Sequence, residues 1–244
     1  MKKTFLLLCL ALLLSACGRT VSLSPSAETP VKTLTAKPDL VATLESAPTL
    51  NNNMTAQPYE ILLINRRFVP PEGVNSSDLI FPLAPIEANT SVSHILIQFY
   101  YIPSERERFL LQERGIQLLD YIPNNAWAAS VKGAVDQIIS DTFTEFPALI
   151  RWAGPIQPAD KLDAEGYLDL VNSGQDNFNF SVSFFPDVPV ELARRILDAN
   201  GAEIVQEIAS AQRFEILLPI TQVNELVLYD SVQWVEPIWP KTIN

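Results

Sequence analysis

The sequence predicts an α+β fold in which one small unit of strands and helices occurs twice. The first observation is an internal repeat, because residues 102–122, "IPSERERFLLQERGIQLLDYI", align with residues 188–208, "VPVELARRILDANGAEIVQEI". The second is that "IRWAGPIQP" at 150–158 returns as "VQWVEPIWP" at 232–240. The third is that both copies carry strand-forming and helix-forming segments in the same order. Self-similarity of this kind indicates a duplicated structural unit.

Each copy begins with a short strand rich in β-branched and aromatic residues, "HILIQFYYI" in the first copy and "FSVSFFPDV" in the second. A helix follows. In the first copy Ser104 and Glu107 have the spacing of a capping box, while Gly115 and Gly201 suit the left-handed position that ends a helix. Two further strands, a second helical stretch and the Trp-containing strand complete each unit. Their segments are "IQLLDYI", "AWAASV" and "GAVDQIISDTF" in the first copy, and "AEIVQEI", "RFEILL" and "TQVNELVLY" in the second.

The order β-α-β-β-α-β predicts two tandem ferredoxin-like domains, each with both helices on one face of a four-stranded antiparallel sheet. The first domain is expected at residues 93–162 and the second at 179–244. The stretch 163–178, "DAEGYLDLVNSGQDNF", is polar and contains glycine, and it predicts a linker between them.

Two segments precede the first domain. Residues 17–57 are rich in Ser, Thr, Pro and Ala and show no sustained period, which predicts a flexible, disordered tether. Residues 58–92 are expected to form an N-terminal strand and a loop, with "EILLI" as the strand. Arg66 and Arg67 in this segment are interpreted as solvated charges.

The first residues have the pattern of a signal peptide, expected at 1–16. Lys2 and Lys3 are followed by an apolar run at 5–14, which is too short to span a bilayer. The run ends in "LSAC", which resembles a bacterial lipobox. The resemblance implies a lipid on Cys17, cleavage before it, and a mature chain anchored outside the cytoplasm in the cell envelope, on the outer membrane or the outer face of the plasma membrane. The alternative is an ordinary secretory peptide with a cysteine near its cleavage site.

Composition excludes most catalytic functions. A net charge of −11 argues against nucleic acid as a partner, because phosphate binding needs a basic patch. His94 is the only histidine, so a catalytic triad or a His-based metal site is not expected, and His94 is interpreted as a structural or surface residue. Asp160, Asp163 and Glu165 lack the glycine-punctuated spacing of a cation loop and are interpreted as solvated acidic residues. We expect no enzyme activity, no metal and no cofactor.

Three motifs carry a resemblance to a known family: "RRFVPPEG", "YIPNNAW" and "IRWAGPIQPADKL", in this order. Together they resemble the N-terminal region of large bacterial subtilisin-like serine peptidases, where a region of propeptide-inhibitor type precedes the protease domain. The resemblance covers residues 59–162 and reaches the second copy through the internal repeat. The Asp, His and Ser segments of the catalytic domain do not occur, and the sequence ends at Asn244, where that domain would begin.

The resemblance implies a non-catalytic protein that binds, inhibits or helps to fold a subtilisin-like serine protease. In that family the propeptide places its sheet on the protease and its C-terminal tail in the active site as a product-like strand. The matching tail here is Ile238, Trp239, Pro240, Lys241, Thr242, Ile243 and Asn244. Two alternatives remain open, a truncated or split subtilase and a lipoprotein with a general role in protein interaction.

Overall fold

The structure of the protein is a computed structural model that describes residues 57–79 and 83–240. The predicted signal peptide 1–16, the predicted lipidation site Cys17 and nearly all of the predicted tether lie outside these residues. So do the last four residues of the predicted tail, Lys241, Thr242, Ile243 and Asn244. The described part contains helices and several sheets, which confirms the α+β class.

In the described part of the chain the strands are β1 (Ile61–Leu62), β2 (Arg67–Phe68), β3 (Gly73–Val74), β4 (Val92–Phe99), β5 (Ile116–Ile122), β6 (Ala126–Lys132), β7 (Ile150–Pro155), β8 (Asn177–Phe184), β9 (Glu203–Ile208), β10 (Arg213–Pro219) and β11 (Val232–Pro237). The α-helices are α1 (Glu105–Glu113), α2 (Val135–Glu145), α3 (Ala164–Ser173), α4 (Val190–Ala199) and α5 (Val223–Leu226). Short 3₁₀ helices lie at Ser76–Leu79, Pro158–Lys161, Ala209–Ala211 and Ile220–Gln222.

The first sheet has the strand order β3-β7-β4-β6-β5. Neighbouring strands are antiparallel except β3 and β7, which are parallel. Ile95, Ile97 and Phe99 alternate along β4 and therefore share one face. Leu111 of α1 and Ile139 of α2 pack into the same core as these three residues. Both helices thus lie on one face of this sheet.

The capping signals in the first copy form as the sequence predicts. The Ser104 hydroxyl accepts the N–H of Glu107 at 3.3 Å, and the Glu107 carboxylate accepts the N–H of Ser104 at 2.8 Å. Helix α1 ends before Gly115, whose φ of +81° lies in the left-handed region. Gly201 has a φ of +71° just after α4. Local hydrogen bonds and backbone preference therefore set both helix ends.

The second sheet has the strand order β11-β8-β10-β9, with all neighbours antiparallel. Counted from β4 in the first copy and from β8 in the second, both sheets place their fourth, first, third and second strands side by side. The second helical stretch is shorter in the second copy, where a 3₁₀ turn leads into α5. The core of this sheet joins the inward residues of β8 and β10 to α4 and α5: Phe180, Val182, Phe184, Phe214, Ile216, Leu218, Leu192, Ala193, Ile196, Leu197, Val223 and Leu226.

The segment 163–178, expected as a polar linker, is largely helical. The Asp163 carboxylate caps α3 by accepting the N–H of Gly166 at 3.2 Å. Tyr167 and Leu170, three residues apart on one face of α3, are buried in the second core. The polar composition conceals this face, because only Tyr167 and Leu170 are large side chains that it buries fully, while Ala164 and Leu168 pack partly against the same core. Asp163 is therefore a cap, not a solvated charge.

Asp160 and Arg66 were also expected to be solvated, and the structure pairs them. The Arg66 guanidinium donates to both carboxylate oxygens of Asp160, at 2.6 and 2.7 Å, and the Asp160 side chain is 2% exposed. The same guanidinium lies 4.2 Å from the ring centroid of Phe68. The two residues are 94 positions apart, so neither neighbourhood signals the pair.

Residues 59–70 of the N-terminal segment lie on the face of the first sheet opposite α1 and α2, whereas Leu79 of the same segment packs into the core on the helix side. Strands β1 and β2 form a hairpin, and β3 adds to the edge of the sheet beside β7. The Gln98 side chain points away from the helix side of β4 and donates to the carbonyl of Tyr59 at 2.9 Å. Arg151 donates to the carbonyl of Pro70 at 3.0 Å and to Gln98 Oε1 at 2.9 Å. Gln98 is 0% exposed, so this part of the face is closed.

Candidate functional site

The last strand continues beyond Pro237 along β8. The N–H of Ile238 donates to the carbonyl of Asn179 at 2.8 Å. The Trp239 indole contacts the ring of Phe178 with centroids 5.2 Å apart, and it stays 48% exposed. Pro240 is exposed. Of the predicted tail, Ile238 and Trp239 therefore contact the sheet and Pro240 faces solvent, while the remaining residues lie outside the described part.

The face of the second sheet opposite its core is polar. Cross-strand neighbours on it are Trp234, Ser183 and Arg213 in one row, and Glu236, Ser181 and Glu215 in the next. We call these six residues the polar face. Ser181 is buried and the other five are half-buried. Alternation explains the composition, because Phe180, Val182 and Phe184 on the same strand point to the core.

Two polar atoms on the polar face are buried without a hydrogen-bond partner among the described residues, Ser181 Oγ and Arg213 Nε. Trp234 donates from Nε1 to Glu236 Oε2 at 3.2 Å. This face thus offers a carboxylate-rich surface with donors that its own side chains leave unpaired. Both atoms are buried, so they raise the free energy of the folded protein, and a ligand reaches them only if the surrounding side chains move.

The two copies of the Trp-containing motif have different surroundings. In the first copy the Trp152 indole lies against Gly154 and packs edge-on to Phe68 of the N-terminal hairpin, with centroids 5.7 Å apart. In the second copy Trp234 lies on the polar face and bonds Glu236, which stands where the first copy has Gly154. Trp152 and Trp234 are both half-buried, so the two motifs differ in their neighbours, which are the N-terminal hairpin for Trp152 and Glu236 for Trp234.

A buried polar cluster joins the two copies around His94. Nδ1 of His94 lies 2.7 Å from Asp230 Oδ2, and Nε2 lies 3.0 Å from Asp187 Oδ1. The ring stacks on Phe185 with centroids 4.1 Å apart and an interplanar angle of 9°. His94 is 4% exposed. Because a carboxylate faces each ring nitrogen, the arrangement favours the imidazolium form, which donates at both positions.

His94 and Lys161 of the first copy, together with Glu87 of the N-terminal segment, hold the loop that precedes β11. The Asp230 carboxylate accepts the N–H of His94 at 3.0 and 3.1 Å. The Glu87 carboxylate accepts the N–H groups of Asp230 and Ser231 at 3.1 and 2.8 Å. Lys161 Nζ donates to the carbonyl of Tyr229 at 2.7 Å. All of these bonds connect residues before position 162 to residues after position 228.

Burial and partners shift the pKa values of the cluster. Burial by itself would lower the pKa of His94, but the hydrogen bonds and charges of Asp187 and Asp230 outweigh it and raise that pKa above 6.5. Burial would raise the pKa of Asp187, and the bonds to His94 and Ser130 lower it instead. Burial lowers the pKa of Lys161, while nearby Asp230, Glu87 and Asp160 offset part of the effect.

The chemistry of the cluster is that of an ion-paired contact. A general base needs a free nitrogen lone pair, and both ring nitrogens of His94 face carboxylates. A cavity of about 390 Å³ lies beside the ring and is lined by His94, Asp187 and Arg195. Across residues 57–79 and 83–240, no group of three or more His, Cys, Asp or Glu side chains is arranged to hold a metal ion.

Sequence reasoning treated His94 as a structural or surface residue and did not find its partners. Asp187 and Asp230 stand 93 and 136 positions away along the chain, and Glu87 is 144 positions from Ser231. The sequence offered one signal, a single histidine in a chain with 28 acidic residues, since carboxylates are the most abundant charged partners for that ring.

Comparisons with known proteins find one family match. A family model described as a domain of unknown function (DUF8729) matches residues 62–157, which run from β1 to just beyond β7. No curated protein and no solved structure matches the chain. In the part of the chain that the structure describes, no helix is long and apolar enough to cross a membrane.

Proposed function

We propose that this protein is a non-catalytic, lipid-anchored protein of the cell envelope, in which two tandem ferredoxin-like domains bind and inhibit, or help to fold, a subtilisin-like serine protease. The strand order shared by the two sheets, fourth-first-third-second, supports the ferredoxin-like assignment. The single observation that carries the binding function is the polar face of the second sheet, beside which Ile238 and Trp239 of the predicted tail extend along β8.

The second copy is the better candidate for the binding surface. On the first sheet the N-terminal hairpin lies over part of the face opposite the helices, and Gln98 there is 0% exposed. On the second sheet Arg213, Glu215 and Glu236 of the polar face remain half-buried. Ser183 and Trp234 line a cleft together with Leu62 and Ile64 of the hairpin, so a partner is expected to contact Glu215 and Glu236 rather than these two residues.

Strand addition is the proposed mode of binding. In this mode the main chain of one partner supplies hydrogen bonds, and alternate side chains fill pockets of the other. Ile238 already continues the ladder on β8, and Trp239 holds the chain against Phe178. Pro240 restricts the backbone beyond this point, which lowers the entropy lost when the tail binds. The tail residues 241–244 would then extend into the protease cleft.

An inhibition assay tests this proposal. The mature chain carrying Cys17→Ser is titrated into purified subtilisin-like proteases that hydrolyse a chromogenic peptide, and inhibition constants in the nanomolar range are expected. Removal of residues 238–244 should weaken inhibition by about tenfold or more, since about 1.4 kcal/mol of lost contact is one factor of ten. Glu215→Arg on the polar face should weaken it as well, whereas Glu113→Arg on α1 is the matched control and should not.

A refolding assay separates the two forms of the proposal. If the intact protein accelerates recovery of denatured protease but does not inhibit the folded enzyme, it acts in folding alone. If it does neither, the protease proposal is wrong. Capture of a different envelope protein would then favour the general interaction lipoprotein.

The lipid anchor has its own test. Mass spectrometry of the N-terminal peptide from native membranes should find diacylglyceryl on Cys17 and no residue before it. Cys17→Ala should release the protein from the membrane fraction. An unmodified N-terminus at another position would instead indicate an ordinary secretory peptide.

A further inference from the structure

We propose that His94 is a pH-controlled clasp between the two copies of the duplicated unit, and that alkaline pH releases this contact. This inference is independent of the protease proposal, because it concerns how the two copies hold each other. It rests on the arrangement of one ring, two carboxylates and one loop at the contact.

The contact between the two copies is centred on His94. His94 on β4 carries a carboxylate of the second copy at each ring nitrogen, from Asp230 and from Asp187. Its backbone N–H also donates to Asp230. Phe185, again from the second copy, stacks on the ring. His94 therefore makes four contacts across the junction, three through its ring and one through its backbone N–H.

The charge balance makes the contact dependent on one proton. With His94 protonated, two cationic and three anionic side chains meet at the junction: His94, Lys161, Glu87, Asp187 and Asp230. Loss of the proton leaves one ring nitrogen with a lone pair pointing at a carboxylate. The carboxylate that faces this nitrogen then loses one donor and its ion pair. Asp230 would keep the N–H of His94, and the partly exposed Asp187 would keep the Ser130 hydroxyl, so the contact weakens and separation of the copies gains in relative stability.

The other charged or polar groups near the ring do not supply the positive charge that His94 loses on deprotonation. Ser130 on β6 hydrogen-bonds Asp187 but carries no charge. Glu191 and Arg195 on α4 line the cavity beside the ring, and they are of opposite sign. Asp160 acts on Lys161 from the 3₁₀ helix, and it is itself paired with Arg66.

The sign of the pH dependence follows from the two shifts. The pKa of His94 is raised in the folded protein, so its contribution is fully present below about 6.5 and is lost as the pH rises through the raised value. The pKa of Asp187 is lowered, so its contribution is present above its unfolded value and is lost as the pH falls through the lowered one. The clasp is therefore strongest between the lowered pKa of Asp187 and the raised pKa of His94, and it weakens as the pH rises above the latter.

Release of the clasp would uncover apolar surface. Ala128 on β6 of the first copy belongs to the core cluster of the second copy. Leu96 and Phe185 face a common cleft of about 470 Å³ between the copies. Opening at His94 would expose these three apolar side chains. Deprotonation of His94 would thereby create a surface that a partner can bind or a protease can attack.

The first test reads the ring directly in the unmodified protein. Because His94 is the only histidine, ¹⁵N-histidine labelling gives one pair of ring nitrogen signals. At neutral pH both nitrogens should show the shifts of protonated imidazolium, and the titration midpoint should lie above 6.5. Asp187→Asn should lower the midpoint, while Asp198→Asn, an exposed carboxylate on α4, is the matched control and should leave it unchanged. A neutral ring at neutral pH overturns the proposal.

The second test follows the contact itself by hydrogen exchange. The amides of His94, Asp230 and Ser231 donate to carboxylates across the junction, whereas the amide of Val182 lies in the second sheet. After correction for intrinsic rates, protection of the first three should fall by up to about tenfold per pH unit above the raised pKa, and Val182 should change much less. In His94→Gln this selective pH dependence should disappear. Equal pH dependence at all four amides in the unmodified protein contradicts the clasp, even if the variant does not fold.

Discussion

Gly154 should tolerate no side chain while Trp152 is present. Its φ is not in the left-handed region, so Gly154→Ala introduces no backbone strain. A Cβ atom there would lie 2.5 Å from Cη2 of Trp152 and closer still to Cζ2. The indole cannot move away freely, because it packs against Phe68 on its other side. The substitution therefore forces Trp152 off its rotamer or shifts β7.

The expected cost follows from overpacking. Inserting a methyl group into a packed position destabilises a protein by about 1–3 kcal/mol. Trp152→Ala removes the obstacle, so in that background Gly154→Ala should cost less than about 0.5 kcal/mol or stabilise slightly, since alanine has fewer unfolded conformations than glycine. A double-mutant cycle should therefore give a coupling energy of at least about 1 kcal/mol between the two positions.

The assay is urea unfolding of the wild type, both single variants and the double variant, followed by far-UV circular dichroism. The matched control is Glu236→Ala, which changes the equivalent position of the second copy. It removes only the hydrogen bond from Trp234, so a loss of about 1 kcal/mol or less is expected. Additive effects of Gly154→Ala and Trp152→Ala would refute the argument that the indole occupies the space of a Cβ.

Three further predictions concern stability and are measured by the same unfolding experiment. Ser104→Ala should cost about 1 kcal/mol, because the N-cap bond to Glu107 is lost, whereas Ser104→Asn should retain most of it. Phe214→Ala should cost about 3–5 kcal/mol, since the ring is 0% exposed, and a loss below about 1 kcal/mol would contradict its place in the core. Arg66→Lys should weaken the contact with Asp160 through loss of the two-pronged bond, and an unchanged midpoint would indicate that the pair contributes nothing.

Local signals predicted the elements of the two copies well. The boundaries of "IQLLDYI" coincide with β5, Ile116–Ile122, and Gly115 ends α1 as expected. The signals failed where an apolar face was narrow. The buried Tyr167 and Leu170, with the partly buried Ala164 and Leu168, place α3 in the second core, although its segment was predicted to be a polar linker.

The sequence by itself determined the α+β class and most strands and helices of the two repeated stretches, because capping, alternation and glycine placement act within a few residues. Only the tertiary structure decided what surrounds each copy. It placed the N-terminal hairpin over part of the first sheet, left the polar face of the second half-buried, and brought His94 between Asp187 and Asp230. These contacts join residues 39 to 136 positions apart. Such pairs form only when whole faces pack, and no local pattern in the chain records which side chain will meet which.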